Sequence, residues 1–379
     1  MFSKFDNTGT LTFLEKVSRI NYLFLFLILL LFLIGFASLY SVAEGNFNSW
    51  PMNHLIRFSI SLFIFFVLIF IDIKVYFRFA YLIFGLSILS LLIVKYFGIE
   101  SNGAVRWISV AGISLQPSEF VKYTLVLALA KYFHTINDED NGFIYKLVLP
   151  LIIILIPVSI VSTQPDLGTA IIIFLCGLSI LWIAGINYKF FITGCFGSIL
   201  SLPILWQFLR DYQKERVLTF FNPERDPLGH GYHILQSKIA LGSGGIFGKG
   251  YMEGTQSHLD FLPEMQTDFI FTMYSEEFGF LGSLFLLTIY MLVILLGIKM
   301  SLLSRSLFGK FLSLGVCTVF FIYMFVNIGM VTGLLPVVGV PLPFISYGGS
   351  AMLAVMTGFA LLMNCYIHQK SILPKGSII

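Results

Sequence analysis

Charged side chains are scarce in this sequence. Asp, Glu, Lys and Arg make up 11% of its 379 residues, whereas a soluble domain carries about 25%. Hydrophobic residues reach 57% and aromatic residues 16%, and the mean hydropathy is +0.90. This composition excludes an ordinary soluble fold and predicts a protein that crosses a membrane several times.

Cysteine is also rare, and its placement excludes two further classes. Four cysteines, Cys176, Cys195, Cys317 and Cys365, all lie in apolar runs, so neither a disulfide framework nor a zinc site is indicated. The formal net charge is only +3, and we find no basic patch of the kind that binds nucleic acid.

Long apolar runs, in contrast, are abundant. A helix needs about 20 apolar residues to cross the hydrocarbon core of a bilayer. This rule predicts an all-α polytopic membrane protein with about ten transmembrane helices, in one domain that covers residues 1–379. The predicted spans are 22–42, 53–71, 79–94, 117–130, 147–162, 167–186, 190–209, 269–298, 311–335 and 344–367.

Lys and Arg set the expected orientation, because they concentrate in cytoplasmic loops. With a cytoplasmic N-terminus, thirteen of them fall inside, while the short outside loops hold only Arg57, Lys95 and Arg106. We therefore expect both termini, 1–21 and 368–379, in the cytoplasm. The long polar segment 207–267, between helices seven and eight, is expected outside. The first apolar run lacks a cleavage site and is expected to act as an uncleaved anchor.

Three carboxylates at a spacing of four end this polar segment: Asp260, Glu264 and Asp268. Asp268 directly precedes an apolar run, where partial desolvation would raise its pKa and strengthen it as a base. The competing interpretation is an N-cap for the eighth span, since Asp is favoured there. Glu276 and Glu277 follow, either inside that span or in a re-entrant piece ahead of it.

Other charges fall inside or beside predicted spans. Glu119 and Lys122 share one helix face in the fourth span, and Arg57 lies in the second. In one interpretation these charges only neutralise each other as an ion pair or snorkel to the membrane interface. In the other they form a cationic site for a phosphate. Asp166 sits in a tight turn, as a capping residue or as a carboxylate on the rim of the same cavity.

A glycine-rich stretch follows within the polar segment, at 220–250. It is not a nucleotide-binding phosphate loop, because Ser243 and Gly250 replace the required Gly and Ser/Thr. We expect a surface hairpin or interfacial helices, with 232–241 lying on the membrane. Arg216 and its basic neighbours would then meet lipid phosphates.

Several motifs together resemble the SEDS family (shape, elongation, division and sporulation). The chain has Asn327 and then GLLPVVGVPLPFISYGGSA at 333–351, with QPSEFVK at 116–122, QPDLGT at 164–169 and LPEMQTDFIF at 262–271. The resemblance spans nearly the whole chain. DPLGHGYHILQSKIALGSGG and GTQS are closer to the RodA branch than to the division branch.

This resemblance implies a ten-helix peptidoglycan glycosyltransferase in the bacterial cytoplasmic (inner) membrane. Such an enzyme polymerises lipid II on the outer face during elongation, beside a class B penicillin-binding protein and other elongation-complex membrane proteins. By motif, Asp268 is the essential aspartate, and Glu119, Lys122, Asp166 and Ser346 are cavity residues. Asp260 stands where relatives often have glutamate, so Asp260 and Glu264 are at most supporting carboxylates.

For this reaction Asp268 would be the general base, and cations would stabilise the departing diphosphate. The candidate cations are Lys122, Arg57, Arg106 and Arg216. No cofactor is certain, although a divalent cation, Mg or Mn, held by carboxylates would also serve. The proline-rich 333–351 segment would form a cavity wall with Ser346 facing inward. The rival functions are a lipid II flippase or transporter and a non-catalytic scaffold.

Overall fold

The computed structural model describes residues 11–101, 104–110, 113–136, 144–226, 229–254 and 264–374. Among the predicted site residues, Asp260 lies outside these ranges. The described chain is predominantly helical.

Thirteen α-helices lie in the described residues, and ten of them overlap the ten predicted spans. They are α1 (Phe13–Ser18), α2 (Tyr22–Val42), α3 (Trp50–Ile69), α4 (Ile73–Phe97), α5 (Pro117–Thr135), α6 (Leu149–Thr163), α7 (Leu167–Ile183), α8 (Tyr188–Phe208), α9 (Asp211–Phe221), α10 (His230–Ser243), α11 (Ile270–Leu302), α12 (Leu307–Val331) and α13 (Gly349–Ile367). A π-helical turn, Ile144–Val148, precedes α6, and a 3₁₀ turn, Pro223–Arg225, follows α9.

Seven of the described helices are long and apolar enough to cross a membrane: α2, α3, α4, α6 with its π turn, α11, α12 and α13. Helix α7 and the apolar part of α8 are shorter, and α5 carries buried charges. The multi-pass architecture is therefore confirmed, and the total of ten crossings stays a prediction.

Helices α12 and α13 form the centre of the molecule. Helix α12 packs against α5, α7, α11 and α13, and α13 packs closely on α3. Ridges of small residues allow the close approach. A Cβ on Gly315 of α12 would lie 2.4 Å from Val126 of α5, for example. Helix α8 differs, since none of its described side chains is buried.

A short antiparallel sheet joins α4 to α5, a feature that the all-α prediction did not include. Its strands are β1 (Ile99–Ser101), β2 (Ala104–Val110) and β3 (Ile113–Leu115), in the order β1-β2-β3. Ser350, in the first turn of α13, donates a hydrogen bond to the Ser114 carbonyl and accepts one from the Gln116 N–H, both at 3.1 Å. These bonds tie the sheet to the start of α13.

The polar segment 207–267 contains helices α9 and α10, and α10 packs against α11. Ser237 of α10 is fully buried, with its hydroxyl 2.8 Å from the Thr272 hydroxyl and bonded to the Val331 carbonyl. One face of α10, with Ile234, Ser237 and Ala240, therefore packs against the bundle, while Leu235 and Ile239 stay exposed. The expectation that 232–241 lies on the membrane surface stays a prediction.

Helix α11 is broken at Gly279, where φ is +67°. The glycine-rich loop after α10 meets this break backbone to backbone. Four hydrogen bonds, donor first, run from Lys249 to Glu276, Gly250 to Glu277, Phe280 to Gly245 and Leu281 to Ile246. A Cβ on Gly248 would come within 2.0 Å of the Glu277 carbonyl oxygen, which explains the glycine there. Glu276 and Glu277 lie buried in the half-helix before the break.

Candidate active site

A cavity of about 370 Å³ opens between α5, α7, α9, the sheet and the 333–351 segment. Six charged residues line it: Arg106, Glu119, Lys122, Arg216, Glu264 and Asp268. All six were predicted from the sequence, and the fold brings them together from four separate parts of the chain.

Asp268 is held in place through its backbone. Its N–H donates to the Glu264 carbonyl at 3.2 Å. The buried side-chain amide of Asn327 donates to the Asp268 carbonyl at 3.0 Å and to the Val340 carbonyl at 2.7 Å. Helix α11 begins at Ile270 with Phe269 as N-cap and no side-chain capping bond. The structure thus does not use Asp268 as a cap, and its carboxylate lies on the cavity wall.

The surroundings of Asp268 favour the protonated form. Burial, and secondly the Glu264 carboxylate, raise the pKa of Asp268 to about 6, while Arg216 and Arg106 lower it. Gly339, at φ +80°, approaches so closely that a Cβ there would lie 3.3 Å from an Asp268 carboxylate oxygen. A carboxyl group with a pKa near 6 is ionised at neutral pH and is a stronger base than an exposed aspartate.

Glu119 and Lys122 form a buried ion pair on the cavity floor. Lys122 Nζ lies 2.8 Å from Glu119 Oε1, at the predicted i, i+3 spacing. Their side chains are 7% and 1% exposed. The pair is neutral overall, which limits the cost of its burial.

A second ion pair lies beside the cavity, which Arg106 lines. Arg106 Nε is 3.3 Å from Asp166 Oδ2, and the same carboxylate accepts the Thr169 N–H in the first turn of α7, at 3.3 Å. Asp166 is thus the capping residue of α7; it pairs with the cavity-lining Arg106 but is not itself among the lining residues.

Arg216 is different, because the described residues place no carboxylate within ion-pair distance of it. Its guanidinium donates one long bond, of 3.4 Å, to the Val337 carbonyl, and its buried Nε has no hydrogen-bond partner in the described part of the chain. Burial, and then Arg106, lower the pKa of Arg216. A partly buried cation without a counter-ion is suited to bind an anion.

Two predicted residues lie just behind the cavity wall. The Arg57 guanidinium stands 4.2 Å above the ring of Tyr347, and Tyr347 itself lines the cavity. The Ser346 hydroxyl donates to the Thr267 carbonyl at 2.5 Å and accepts the Leu342 N–H at 2.7 Å. The residues that line the cavity do not include Ser346, although the sequence analysis predicted that Ser346 faces inward. It fastens the 333–351 segment beside Asp268.

Two features of the site escaped the sequence reasoning. Trp107, in β2 next to Arg106, also lines the cavity. The hydrogen bond from Asn327 to the Asp268 backbone was also not predicted, although Asn327 belongs to the motifs that resemble the SEDS family. Within the described residues no group of three or more His, Cys, Asp or Glu is arranged to hold a metal ion. Besides Glu119, the carboxylates that line the cavity are Glu264 and Asp268.

Comparison with known proteins gives consistent matches over nearly the full length. The model of the FtsW, RodA and SpoVE family, described as cell cycle proteins, matches residues 17–371. The peptidoglycan glycosyltransferase MrdB of Escherichia coli K12 is 40% identical over 366 residues, covering 96% of this chain and 98% of MrdB.

Solved structures agree. A chain from a peptidoglycan synthase complex that coordinates polymerization and crosslinking superposes with a TM-score of 0.80 at 28% identity, covering 92% of this chain and 98% of the other. The crystal structure of the rod shape determining protein RodA from Thermus thermophilus has a TM-score of 0.72 at 25% identity, with coverages of 93% and 98%.

Proposed function

Because this chain belongs to the FtsW, RodA and SpoVE family of cell cycle proteins, we infer that it is a peptidoglycan glycosyltransferase of cell elongation. It is a multi-pass protein of the bacterial inner membrane. We propose that it polymerises lipid II in the cavity described above, on the outer face, with both termini in the cytoplasm.

In this reaction the 4-hydroxyl of one GlcNAc attacks the anomeric carbon of a MurNAc, and undecaprenyl diphosphate leaves. Asp268 would take the hydroxyl proton. Its carboxylate does not cap helix α11, lies on the cavity wall and has a pKa of about 6. General-base catalysis contributes about 10²- to 10⁴-fold, or roughly 3 to 5 kcal/mol of barrier. This carboxylate is the single observation that carries the proposal.

The departing diphosphate would lie against Arg216. Lys122 is neutralised by Glu119, and Arg106 by Asp166, whereas Arg216 faces the cavity without a carboxylate partner among the described residues. The Arg216 guanidinium would bind the diphosphate through charge-assisted hydrogen bonds, with Arg106 and Lys122 as further donors. Arg57 would act indirectly, through Tyr347.

A divalent cation, Mg or Mn, is compatible with this site. Glu264 would supply a carboxylate ligand, and hard cations bind readily between carboxylates and phosphates. When bound, the ion would add positive charge at the diphosphate.

A class B penicillin-binding protein is the partner we propose. The support is the structural likeness to a chain from a complex that coordinates polymerization with crosslinking. The crosslinking subunit of such a complex would receive the new strand at the outer face.

The proposal is tested with purified protein and partner in liposomes that contain labelled lipid II. We expect labelled glycan polymer on the outer face. Transbilayer movement of lipid II without polymer would instead support a flippase, and neither product would support a scaffold.

A further inference from the structure

One side chain next to the cavity has no role in the account above. Tyr323 of α12 is 1% exposed and does not line the cavity. Its hydroxyl nevertheless donates a short hydrogen bond to Glu119 Oε2, and its ring lies beneath the Lys122 ammonium, 4.3 Å from Nζ to the ring centroid.

The two oxygens of Glu119 are therefore used separately. Oε1 faces Lys122 at 2.8 Å, and Oε2 faces the Tyr323 hydroxyl. A Lys ammonium carries three donors, and in the described residues Lys122 Nζ uses one of them, on Glu119. Two donors remain for a ligand in the cavity that Lys122 lines.

We propose that Tyr323 is a positioning residue, which holds Lys122 ready for the diphosphate by occupying the second oxygen of Glu119 and supporting the ammonium with its ring. This inference rests on the proposed function of the cavity. The shared carboxylate prevents Glu119 from turning both oxygens onto Lys122 and drawing it away from the cavity. The ring adds cation–π attraction, which is stronger where water is excluded.

Helix α12 supplies this support together with Asn327, one turn further along the same face. Asn327 holds the backbone of Asp268, and Tyr323 holds Glu119 and Lys122. One helix thus fixes the base and the floor cation relative to each other.

Tyr323→Phe keeps the ring and removes only the hydroxyl. The buried Oε2 then has no donor from α12, and Glu119 recovers its bond by turning fully onto Lys122. We expect the dissociation constant of farnesyl diphosphate for the full chain in detergent to rise about tenfold, as befits a hydrogen bond to a charged group. Tyr323→Leu removes the ring as well and should weaken binding further.

A matched control is Tyr76→Phe. Tyr76 is also buried and its hydroxyl donates to the Leu68 carbonyl at 2.8 Å, but it lies at the junction of α3 and α4, away from the cavity. This variant loses one buried tyrosine hydrogen bond, and its dissociation constant should stay within about twofold of wild type.

A double-mutant cycle separates positioning from simple packing. Glu119→Met removes the acceptor, so adding Tyr323→Phe should then change binding less than about twofold. Independent, multiplicative effects would overturn the proposal. So would wild-type affinity in Tyr323→Phe, or no binding of farnesyl diphosphate to the wild-type chain. Because binding is the readout, absence of polymer would count against the proposed function and leave this test intact.

Discussion

At the residue scale, the chemistry depends on how the fold changes the properties of ordinary side chains. Asp268 has a raised pKa because it is buried and close to Glu264, and Arg216 and Arg106 limit that rise. Asp268 and the two arginines therefore influence one another electrostatically. This coupling makes the pH dependence of the reaction a direct probe of the site.

If Asp268 is the base, its ionised form must be present. Its folded pKa is raised from the model-peptide range to about 6, so the active form dominates above that pH and is lost below it. We expect kcat/KM for polymerisation to fall about tenfold per pH unit below pH about 6 and to level off above it. A flat profile from pH 5 to 8 would contradict this role.

Substitutions at two neighbours of Asp268 should shift the acidic limb of the pH profile, where kcat/KM falls, in opposite directions. Glu264→Gln removes a negative charge that raises the pKa, so the limb should shift to lower pH. Arg216→Gln removes a positive charge that lowers the pKa, so the limb should shift to higher pH. The shifts are measured on the residual activity of each variant, and the two variants serve as controls for each other. Shifts in the same direction would refute the electrostatic explanation.

Lys122 offers a second test at this scale. Lys122→Met leaves Glu119 buried without its partner, which costs about 3 to 5 kcal/mol of stability. The double variant Glu119→Gln/Lys122→Met should recover much of that stability but not the activity, because it still lacks the cation. We expect roughly a hundredfold less polymer from the double variant at matched protein amounts. Near-normal polymer would leave the pair with a structural role only.

At the element scale, hydropathy encodes the helices directly, and this is why all ten predicted spans overlap helices. Contacts between distant segments have no comparable signal. The break at Gly279 follows from packing against Gly248, 31 residues earlier in the chain. Likewise, nothing local to Trp107 shows that a three-stranded sheet will place it in the lining of the cavity. The identities of the charged residues were therefore predictable, while their supports, Asn327 and Tyr323, were not.

The packing of the glycine-rich loop against the break in helix α11 can be tested by adding one methyl group at Gly248. Gly248 has φ +85° and its added Cβ would lie 2.0 Å from the Glu277 carbonyl oxygen. We expect Gly248→Ala to lower the free energy of unfolding in detergent by about 1 to 3 kcal/mol.

The matched control for this change is Gly194→Ala, in helix α8. Apart from its chain neighbours and its own helix backbone, no described atom lies within 4 Å of a Cβ at that position, so alanine should be neutral or stabilising by up to ~1 kcal/mol. Equal stability of the two variants would show that the loop does not pack against the break.

At the scale of the whole molecule, the account requires the cavity to open outward. Glu224, in the outer segment, and Lys370, after α13, are both exposed. In a Cys195→Ser background, where the three remaining cysteines are buried, Glu224→Cys should react with an impermeant thiol reagent in intact spheroplasts. Lys370→Cys should react only after lysis. Labelling of Lys370→Cys before lysis would show that the C-terminal end lies outside, opposite to the predicted orientation.

The most direct test of the account is the polymer formed from labelled lipid II by wild type and by Asp268→Asn at matched protein amounts. Asparagine keeps the shape of the side chain and leaves the bond from Asn327 to the backbone intact, but it cannot take a proton at neutral pH. We expect normal membrane levels and a loss of polymerisation of at least about a hundredfold. Asp268→Glu should recover little, since a shift of ~1 Å misplaces the base. An Asp268→Asn variant that keeps half of the wild-type rate would remove Asp268 from the mechanism.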